Sequence, residues 1–309
     1  MGLDLCVGFI GGGAMAEALV AGITQGTIDR EHIFVSDHKA ARCQELAERY
    51  GIHTSVGADA FVGHVDVLFL AVKPQAAAKA IDEVKDKVGK DTLILSIVAG
   101  LTLDSLEASF TSQPVVRIMP NTPLSVGAGM SAFACGTRAG AAEAKAVSEI
   151  LSASGRAIEV SEPAMDAVTG LSGSGPAYVF LLIDALSDGG VAAGLKRDAA
   201  TLLAAQTVYG AAKMVLETQK HPDVLRDQVT SPAGTTIAGV RVLENRGLRG
   251  ALIDAVLAAT EKSRELGKKS WQVNKKKKSY GSIKARKERR RSSSSSTSPK
   301  PYSAARSSA

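Results

Sequence analysis

Hydrophobic residues in the first half of the chain fall in short runs that are separated by longer amphipathic stretches. These runs predict strands, and they lie at residues 5–10, 33–36, 67–71, 92–97 and 115–119. Helices are predicted at 14–25 and 39–50, and again at 141–154 before a short last strand at 157–160. Strands that alternate with helices favour a parallel sheet with right-handed crossovers.

The pattern changes in the second half, residues 163–267, where four or five helices are predicted and no strand pattern is found. One helix begins near Pro176, a residue that suits the first helical turn, and extends to about Gly190. Its residues 177–183 are apolar on every face, so this helix must be covered on all sides. The pattern favours a helical dimerisation domain, and a central core helix in a monomer is the alternative.

A glycine-rich turn joins the first predicted strand to the first predicted helix. Residues 11–16 read Gly-Gly-Gly-Ala-Met-Ala, which fits a Gly-x-Gly-x-x-Ala pattern. Residues without a bulky Cβ let backbone N–H groups approach a pyrophosphate at a helix N-terminus. Lys73 and Pro74 end a later apolar strand, at the edge where open α/β sheets hold their ligands. A tight turn favours glycine for structural reasons alone, but the strands and helices around it favour dinucleotide binding.

These patterns predict an α/β fold with two domains and a tail. The first domain, residues 1–162, is a Rossmann-like parallel-sheet domain that binds a dinucleotide. The second domain, residues 163–267, is all-helical and serves dimerisation. A chain of 309 residues, 45% of them apolar, is long enough to build both.

Composition narrows the compartment and the class of protein. No run approaches the ~20 apolar residues of a membrane span, and the N-terminus lacks the basic start of a secretory signal. The three cysteines, Cys6, Cys43 and Cys135, are scattered without metal-ligand or redox spacing. We therefore expect thiols in a reducing compartment, no metal site and a cytoplasmic protein.

The net charge of +6 combines two different regions. Fourteen of the 37 Lys and Arg residues, but only one of the 31 Asp and Glu residues, lie in residues 268–309. The rest of the chain is mildly acidic, whereas this tail is basic and rich in serine. Such a tail buries too little apolar surface to offset the entropy of ordering, and it is predicted to be disordered. It would bind polyanions in a salt-dependent way; an accidental extension is the alternative.

Five motifs follow one another along the chain. They are Gly8-Phe9-Ile10-Gly11-Gly12-Gly13-Ala14-Met15-Ala16, Ala71-Val72-Lys73-Pro74-Gln75, Arg117-Ile118-Met119-Pro120-Asn121-Thr122-Pro123, Ser172-Gly173-Ser174-Gly175-Pro176-Ala177-Tyr178 and Ser231-Pro232-Ala233-Gly234-Thr235-Thr236. In their order and spacing the chain, from about Val7 to Leu266, resembles pyrroline-5-carboxylate reductase. That family catalyses the last step of proline synthesis.

The resemblance implies reduction of L-1-pyrroline-5-carboxylate to L-proline with NADPH or NADH, by a homodimer or larger homo-oligomer. A hydride moves to the C=N carbon of a substrate that is already electrophilic once protonated, so we expect catalysis by positioning rather than a Ser/His/Asp constellation. The residues expected to bind the cofactor are Gly11, Gly12, Gly13, Ala14, Met15, Ala16, Ser36, Ala71, Val72, Lys73, Pro74, Ile97, Val98 and Ala99.

The resemblance also implies a site for the substrate carboxylate in the 231–236 segment. The expected contacts are Ser231, Gly234, Thr235 and Thr236. A Ser/Thr/Gly-rich segment that opens a helix offers unpaired N–H groups and hydroxyls to an anion, although an ordinary N-cap without a ligand has the same composition. Thr236 is the candidate catalytic residue, and it would hydrogen-bond the ring nitrogen.

Two residues depart from the family pattern. Ala233 stands where the family usually has a second glycine, which makes the 231–236 segment stiffer. Ala58 stands where many members have an asparagine that reaches the adenosine ribose, so one cofactor contact is expected to be missing.

The choice between NADH and NADPH stays open in the sequence. Asp37 lies 21 residues past Ala16, where an acid takes the ribose 2′-hydroxyl of NAD. Neighbours that could accept the 2′-phosphate of NADP are Ser36, His38, Lys39 and Arg42. The resemblance favours NADPH slightly, with NADH also used.

Two rival functions are considered. The β-hydroxyacid dehydrogenases share a similar N-terminal domain and use a lysine on a long helix as general acid/base. The equivalent helix here, residues 176–190, contains no lysine, which disfavours alcohol oxidation and fits an imine. Lys73 could act as a base, but Pro74 forces the chain out of the sheet there, so we interpret Lys73 as shaping the loop. The second rival is a binding protein that kept the fold and uses its basic tail on RNA or anionic lipid.

Overall fold

Eight strands form one sheet in the computed structural model, which describes residues 3–267. The strands are β1 (Val7–Ile10), β2 (Ile33–Asp37), β3 (His53–Val56), β4 (Val67–Leu70), β5 (Leu93–Ser96), β6 (Val115–Met119), β7 (Gly129–Cys135) and β8 (Gly155–Glu159). Their order across the sheet is β3-β2-β1-β4-β5-β6-β7-β8. Neighbouring strands are parallel except for β6 and β7. The predicted disordered tail, residues 268–309, lies outside the described residues.

Helices cover the sheet and make up the second half of the described chain. They are α1 (Ala14–Ile23), α2 (Ala40–Tyr50), α3 (Pro74–Val84), α4 (Leu103–Ser109), α5 (Ala141–Ser152), α6 (Met165–Val168), α7 (Gly175–Ala192), α8 (Arg197–Thr218), α9 (Pro222–Gln228), α10 (Thr235–Asn245) and α11 (248–267). A π-helical turn, Thr169–Gly173, precedes α7. The predicted Rossmann-like sheet followed by helices is confirmed.

Two strands are missing from the sequence prediction. β3 is an edge strand of polar character, and none of its four residues is buried. β7 consists mostly of small residues and pairs antiparallel with β6, which interrupts the otherwise parallel sheet. Neither strand carries the run of bulky apolar residues that marks a buried parallel strand, so the hydrophobic pattern gave no signal for them.

Buried side chains form two clusters, one on each face of the sheet. Successive residues along a strand belong to opposite clusters, as Phe9 and Ile10 of β1 do. Phe9 stacks on Phe69 of the neighbouring β4, with ring centroids 4.5 Å apart. Helix α1 packs into the first cluster and α3 into the second. The last buried member of either cluster is Met165, so both cores are built from the first half of the chain.

The helical region, residues 163–267, buries far less of its apolar surface. Helix α7 packs on α8, yet α7 buries only Ser187, and α8 only Ala200 and Ala204. Large apolar side chains stay exposed, including Phe180 at 63% and Leu181 at 71%. The segment predicted to need cover on all sides is therefore left uncovered by the rest of residues 3–267.

Helix α8 also passes a test for membrane spans by length and composition alone, with a mean hydropathy of 1.2. Only 11% of the tested window is buried within the described chain. Charged and polar residues interrupt its apolar positions, so α8 does not contain an uninterrupted apolar run of the length of a membrane span. Its exposed leucines, such as Leu202 and Leu203, belong to the same uncovered surface as those of α7.

Candidate functional site

The carboxyl ends of four neighbouring strands, β2, β1, β4 and β5, lie side by side at one edge of the sheet. Strand order proceeds in opposite directions from the pair β1 and β4, and such a switch point is where open α/β sheets hold ligands. The glycine-rich turn (residues 11–16) follows β1, residues 71–74 follow β4 and residues 97–99 follow β5. The structure thus brings together the three segments that were predicted to bind the cofactor.

The first two positions of the glycine-rich turn leave no room for a side chain. Gly11 has a left-handed φ of +101°, and a Cβ there would lie 2.7 Å from the carbonyl oxygen of Ala71. A Cβ on Gly12 would lie 2.8 Å from Cδ1 of Leu46. Gly13 differs, because a Cβ there would meet no atom within 4 Å. The backbone at Gly13 therefore faces open space that a ligand can enter.

Helix α1 begins at this open space. Gly13 is its N-cap residue, and no side chain caps the helix. Ala14, Met15 and Ala16 form the first turn, whose N–H groups carry the positive end of the helix dipole. Small residues and an uncapped N-terminus at a switch point together fit the pyrophosphate of a dinucleotide.

The end of β2 presents the Asp37 side chain to the glycine-rich turn, whereas Ser36 contacts the turn through its carbonyl, which accepts the Gly11 N–H at 2.8 Å. The Asp37 carboxylate accepts the Gly12 N–H at 3.0 Å through Oδ2 and the Lys39 N–H at 3.0 Å through Oδ1. Ser36 is only 4% exposed, and its hydroxyl donates to the carbonyl of Phe9 at 3.3 Å. The alternation along β2 turns the Ser36 side chain into the core, and the cofactor contact expected of Ser36 stays a prediction.

Arg42 is held by an oxygen on each of its three nitrogens. Its Nε donates to the Gly12 carbonyl at 2.7 Å, and its terminal nitrogens pair with Glu17 and, at 2.8 Å, with Glu45. The hydrogen bonds to Glu17 and Glu45 raise the pKa of Arg42. Burial acts to raise the pKa of Glu17, but hydrogen bonds from Arg42 and two other residues outweigh it and lower that pKa. These contacts fasten α1 and α2 to the turn and give each nitrogen of Arg42 a protein oxygen as a partner.

The loop after β4 supports a structural interpretation of Lys73. Lys73 is the exposed N-cap of α3 with an extended backbone, as expected before a proline, and Pro74 is the first residue of that helix. Ala71 begins the loop by donating its N–H to the carbonyl of Ile10 at 2.9 Å, which ties it to the end of β1. Lys73 therefore turns the chain out of the sheet beside the crevice.

The loop after β5 presents its backbone in a similar way. Ile97 donates its N–H to the carbonyl of Leu70 at 3.1 Å, and Val98 is buried, with 4% of its surface exposed. Ala99 is exposed at the sheet edge. The small side chain of Ala99 therefore leaves space at the carboxyl edge of the sheet. The larger side chain of Val98 packs in the core and holds the loop in place.

Asn121, which follows β6, connects the sheet to the helical region. Its Oδ1 accepts the Met130 N–H at 2.9 Å, and its Nδ2 lies 3.3 Å from the carbonyl oxygen of Ser172 in the π-helical turn. A π-turn of this kind is often found at functional sites. The sequence placed Asn121 within a motif but gave it no role, because the contact joins residues 51 positions apart.

The 231–236 segment lies in the helical region and opens α10. Gly234 is the N-cap residue without a side-chain cap, and a Cβ there would lie 2.3 Å from the Oγ of Ser231. Thr235 and Thr236 follow in the first turn, with Thr236 partly buried. Ala233 adopts a left-handed φ of +56°, the conformation for which glycine is better suited.

The structure of the single chain does not bring this segment to the glycine-rich turn. Within residues 3–267, no hydrogen bond or ion pair connects the 231–236 segment with residues 11–16. The segment is largely exposed, and it belongs to the helical region, in which large apolar side chains are exposed too. The predicted cofactor and substrate residues therefore form two separate groups in one chain.

Two family models match the two halves of the chain. Residues 162–266 match the model described as pyrroline-5-carboxylate reductase dimerisation. Residues 6–100 match a model of NADP oxidoreductases described as coenzyme F420-dependent. The first match begins where the sheet ends and the helical region starts.

Curated relatives cover nearly the whole described chain. A pyrroline-5-carboxylate reductase of Arabidopsis thaliana is 45% identical over 261 residues, which is 84% of this chain and 95% of the relative. The enzyme of the same name from Methanosarcina acetivorans is 46% identical over 265 residues, 85% of this chain and 98% of the relative.

Solved structures agree with the fold. A pyrroline-5-carboxylate reductase from Coxiella burnetii superposes with a TM-score of 0.81 at 36% identity, over 85% of this chain and 99% of that one. A pyrroline carboxylate reductase from Plasmodium falciparum with NADP bound superposes with a TM-score of 0.76 at 31% identity, over 86% and 100%.

Proposed function

This chain belongs to the pyrroline-5-carboxylate reductase family, and we propose that its cofactor lies across the switch point between β1 and β4. The enzyme reduces L-1-pyrroline-5-carboxylate to L-proline with NAD(P)H, the last step of proline biosynthesis. The observation that carries the proposed cofactor site is the open space in front of Gly13 at the uncapped start of α1.

In this arrangement the turn holds the cofactor mainly through its backbone. The N–H groups of the first turn of α1 face the pyrophosphate, and glycine at 11 and 12 keeps the turn close to its neighbours. Residues 71–74 and 97–99 line the path from the adenosine end to the nicotinamide end. Ala58 is buried, with only 9% of its surface exposed, and its methyl side chain supplies no polar group to the ribose.

For this reaction the protein must position the two reacting rings and bind the substrate carboxylate. When bound, NAD(P)H supplies the hydride that the C=N carbon receives. The chain must hold the two rings at about 3–3.5 Å and anchor the carboxylate of the imine. We assign the carboxylate to the N–H groups and hydroxyls at the start of α10: Ser231, Gly234, Thr235 and Thr236. Thr236 hydrogen-bonds the ring nitrogen and orients the imine.

We further propose that each active site draws on two chains. One chain leaves the 231–236 segment apart from the glycine-rich turn and leaves the apolar faces of α7 and α8 uncovered. A second copy that covers those faces brings its helical region beside the sheet edge. On this proposal residues 1–162 form the dinucleotide-binding domain and residues 163–267 the dimerisation and substrate domain, a division supported by the family match that begins at 162.

The thiols favour the cytoplasm as the place of action. Cys6, Cys43 and Cys135 are all free, as is usual in reducing compartments. Burial, with Glu159 nearby, raises the pKa of Cys135 to about 11, so this thiol stays protonated and unreactive near neutral pH. We therefore propose a cytoplasmic enzyme without thiol chemistry.

A steady-state assay tests the function. The purified protein is supplied with NADPH or NADH, and absorbance at the reduced-nicotinamide band is followed with and without pyrroline-5-carboxylate. We expect oxidation of the cofactor only when the imine is present. Turnover of 3-hydroxy acids with no turnover of the imine would contradict the assignment.

A further inference from the structure

We propose that Asp37 is a specificity-determining residue that makes this enzyme bind NADH more tightly than NADPH. The inference rests on the proposed cofactor site, because it concerns the adenosine ribose of a cofactor whose pyrophosphate lies at the start of α1. It goes beyond the shared use of NAD(P)H in naming which cofactor is preferred and which residue decides it.

The Asp37 carboxylate is fixed at the end of β2, beside the glycine-rich turn. Its side chain is only 11% exposed. Two backbone amides hold it, Gly12 N–H on Oδ2 and Lys39 N–H on Oδ1, each at 3.0 Å. The carboxylate cannot swing away without losing both hydrogen bonds, so its place beside the turn is fixed.

A carboxylate at this place in a dinucleotide-binding sheet accepts a hydrogen bond from the 2′-hydroxyl of the adenosine ribose. In NADPH that hydroxyl is replaced by a phosphate, which would bring further negative charge to the same carboxylate. Like charges at hydrogen-bond distance repel strongly where water is partly excluded. Asp37 therefore contributes an attractive contact to NADH and a repulsive one to NADPH.

The cation best placed to relieve that repulsion is already engaged. Arg42 follows Asp37 by five positions, and its three nitrogens contact the Gly12 carbonyl, Glu17 and Glu45. A 2′-phosphate would have to compete with two carboxylates for this guanidinium. A planar guanidinium free to form paired hydrogen bonds suits phosphate recognition best, and each nitrogen of Arg42 already contacts a protein oxygen.

The other basic residues nearby are weaker candidates. The His38 side chain is 83% exposed, and its Nδ1 lies 3.1 Å from Asp37 itself. Lys39 is exposed too, and its backbone N–H is one of the two that fix the carboxylate. Attraction from such exposed groups is screened by water and salt. That attraction is weaker than the repulsion from the partly buried Asp37 carboxylate, which two backbone amides hold in place.

Calorimetric titration of the wild-type protein tests the preference without any turnover. We would measure the Kd of NADH and NADPH, and of the fragments ADP-ribose and 2′-phospho-ADP-ribose, which isolate the adenosine end. We expect the unphosphorylated member of each pair to bind about tenfold more tightly or better, the value of one hydrogen bond to a charged group. Equal affinities, or tighter NADPH, would overturn the inference while leaving the cofactor site in place. If neither cofactor bound, the proposed site itself would fail.

Variants assign the preference to the named residues. Asp37→Asn removes the charge and keeps the size, so the ratio of NADH to NADPH affinity should fall by about tenfold or more. Glu45→Gln leaves the turn intact and frees part of Arg42, so NADPH affinity should rise about two- to threefold with NADH unchanged. Glu48→Gln, an exposed change on the same helix, is the matched control and should alter neither. An unchanged ratio in folded Asp37→Asn would remove Asp37 from this role.

Discussion

The sheet region (residues 3–162) and the helical region (163–267) bury their apolar residues in different ways. The sheet region carries two clusters of buried side chains, with Phe9 and Phe69 fully enclosed. In the helical region Phe180 and Leu181 are 63% and 71% exposed, and the buried positions on α7 and α8 are small ones. The first region completes its core from its own residues, whereas the second, which matches a dimerisation family, leaves large apolar side chains exposed in the part of the chain that the structure describes.

Because of this difference, cofactor binding and turnover should depend on the dimer to different degrees. The cofactor cradle is built within one chain, from the ends of strands that hold each other in place. The substrate segment lies in the region whose apolar surface is incomplete in one chain. Cofactor binding should therefore survive loss of the dimer, and turnover should not.

Breaking the helical surface should have the largest effect. Phe180→Asp places an unpaired charge in the surface that we assign to the dimer, and burying such a charge costs several kcal/mol. We expect roughly a 1,000-fold weaker dimer and loss of activity, with NADH affinity close to that of the wild type. Sedimentation velocity and calorimetric titration measure the two outcomes.

Ile158→Asp is the control for this change. Ile158 lies on the edge strand β8 of the sheet region and is 50% exposed, so a charge there meets water in either state. A wild-type protein that sediments as a fully active monomer would contradict the proposed division of labour.

The same contrast explains what the sequence could predict. Bulky apolar runs such as 67–70 predicted buried parallel strands correctly, because both faces of those strands are covered. β3 escaped because its residues are polar and lie on an edge. β7 escaped because small residues such as Ala132 and Ala134 are buried without an apolar run of ordinary size.

The candidate site was predictable where chemistry is carried by the backbone. Glycine at 11 and 12 is required by close neighbours that are fixed in the fold, so the pattern located the turn. Side-chain choices were less visible, because direction matters as well as position. Ser36 and Asp37 are adjacent in sequence, yet only the Asp37 side chain faces the turn, and Ser36 contacts it through its carbonyl. The contacts of Arg42 include Glu17, 25 residues away.

The second prediction tests the sheet region. Gly13→Val adds a branched side chain to the open space that we assign to the pyrophosphate, where it meets no protein atom. We expect cofactor affinity to fall about 100-fold or more, the value of two charge-assisted hydrogen bonds, with the dimer intact. Gly13→Ala should have a smaller effect in the same direction. A folded Gly13→Val protein with wild-type affinity for both cofactors would place the pyrophosphate elsewhere.

The third prediction tests the substrate segment. Thr236→Ala removes the hydroxyl that we assign to the ring nitrogen, a hydrogen bond worth roughly 1.5–3 kcal/mol, so kcat/KM should fall about ten- to a hundredfold. Cofactor affinity should stay nearly unchanged, because α10 lies outside the sheet region. Thr236→Ser keeps the hydroxyl and should restore most of the activity. Unchanged kinetics in the alanine variant would remove Thr236 from the site.

The smallest effect is expected for Ala233→Gly, which separates strain in the helical region from its function. Ala233 has a left-handed φ of +56°, which costs a residue with a Cβ about 1–2 kcal/mol. Glycine removes that cost. Its greater conformational freedom in the unfolded chain, however, lowers the free energy of unfolding by about 0.4–1 kcal/mol. The net stabilisation should be about 0.5 kcal/mol, or a rise in Tm of about 1–2 °C by calorimetry. Ala238→Gly, in the ordinary helical backbone of α10, should instead lower the stability by about 1 kcal/mol. Equal destabilisation by both changes would mean that the left-handed turn at 233 carries no strain.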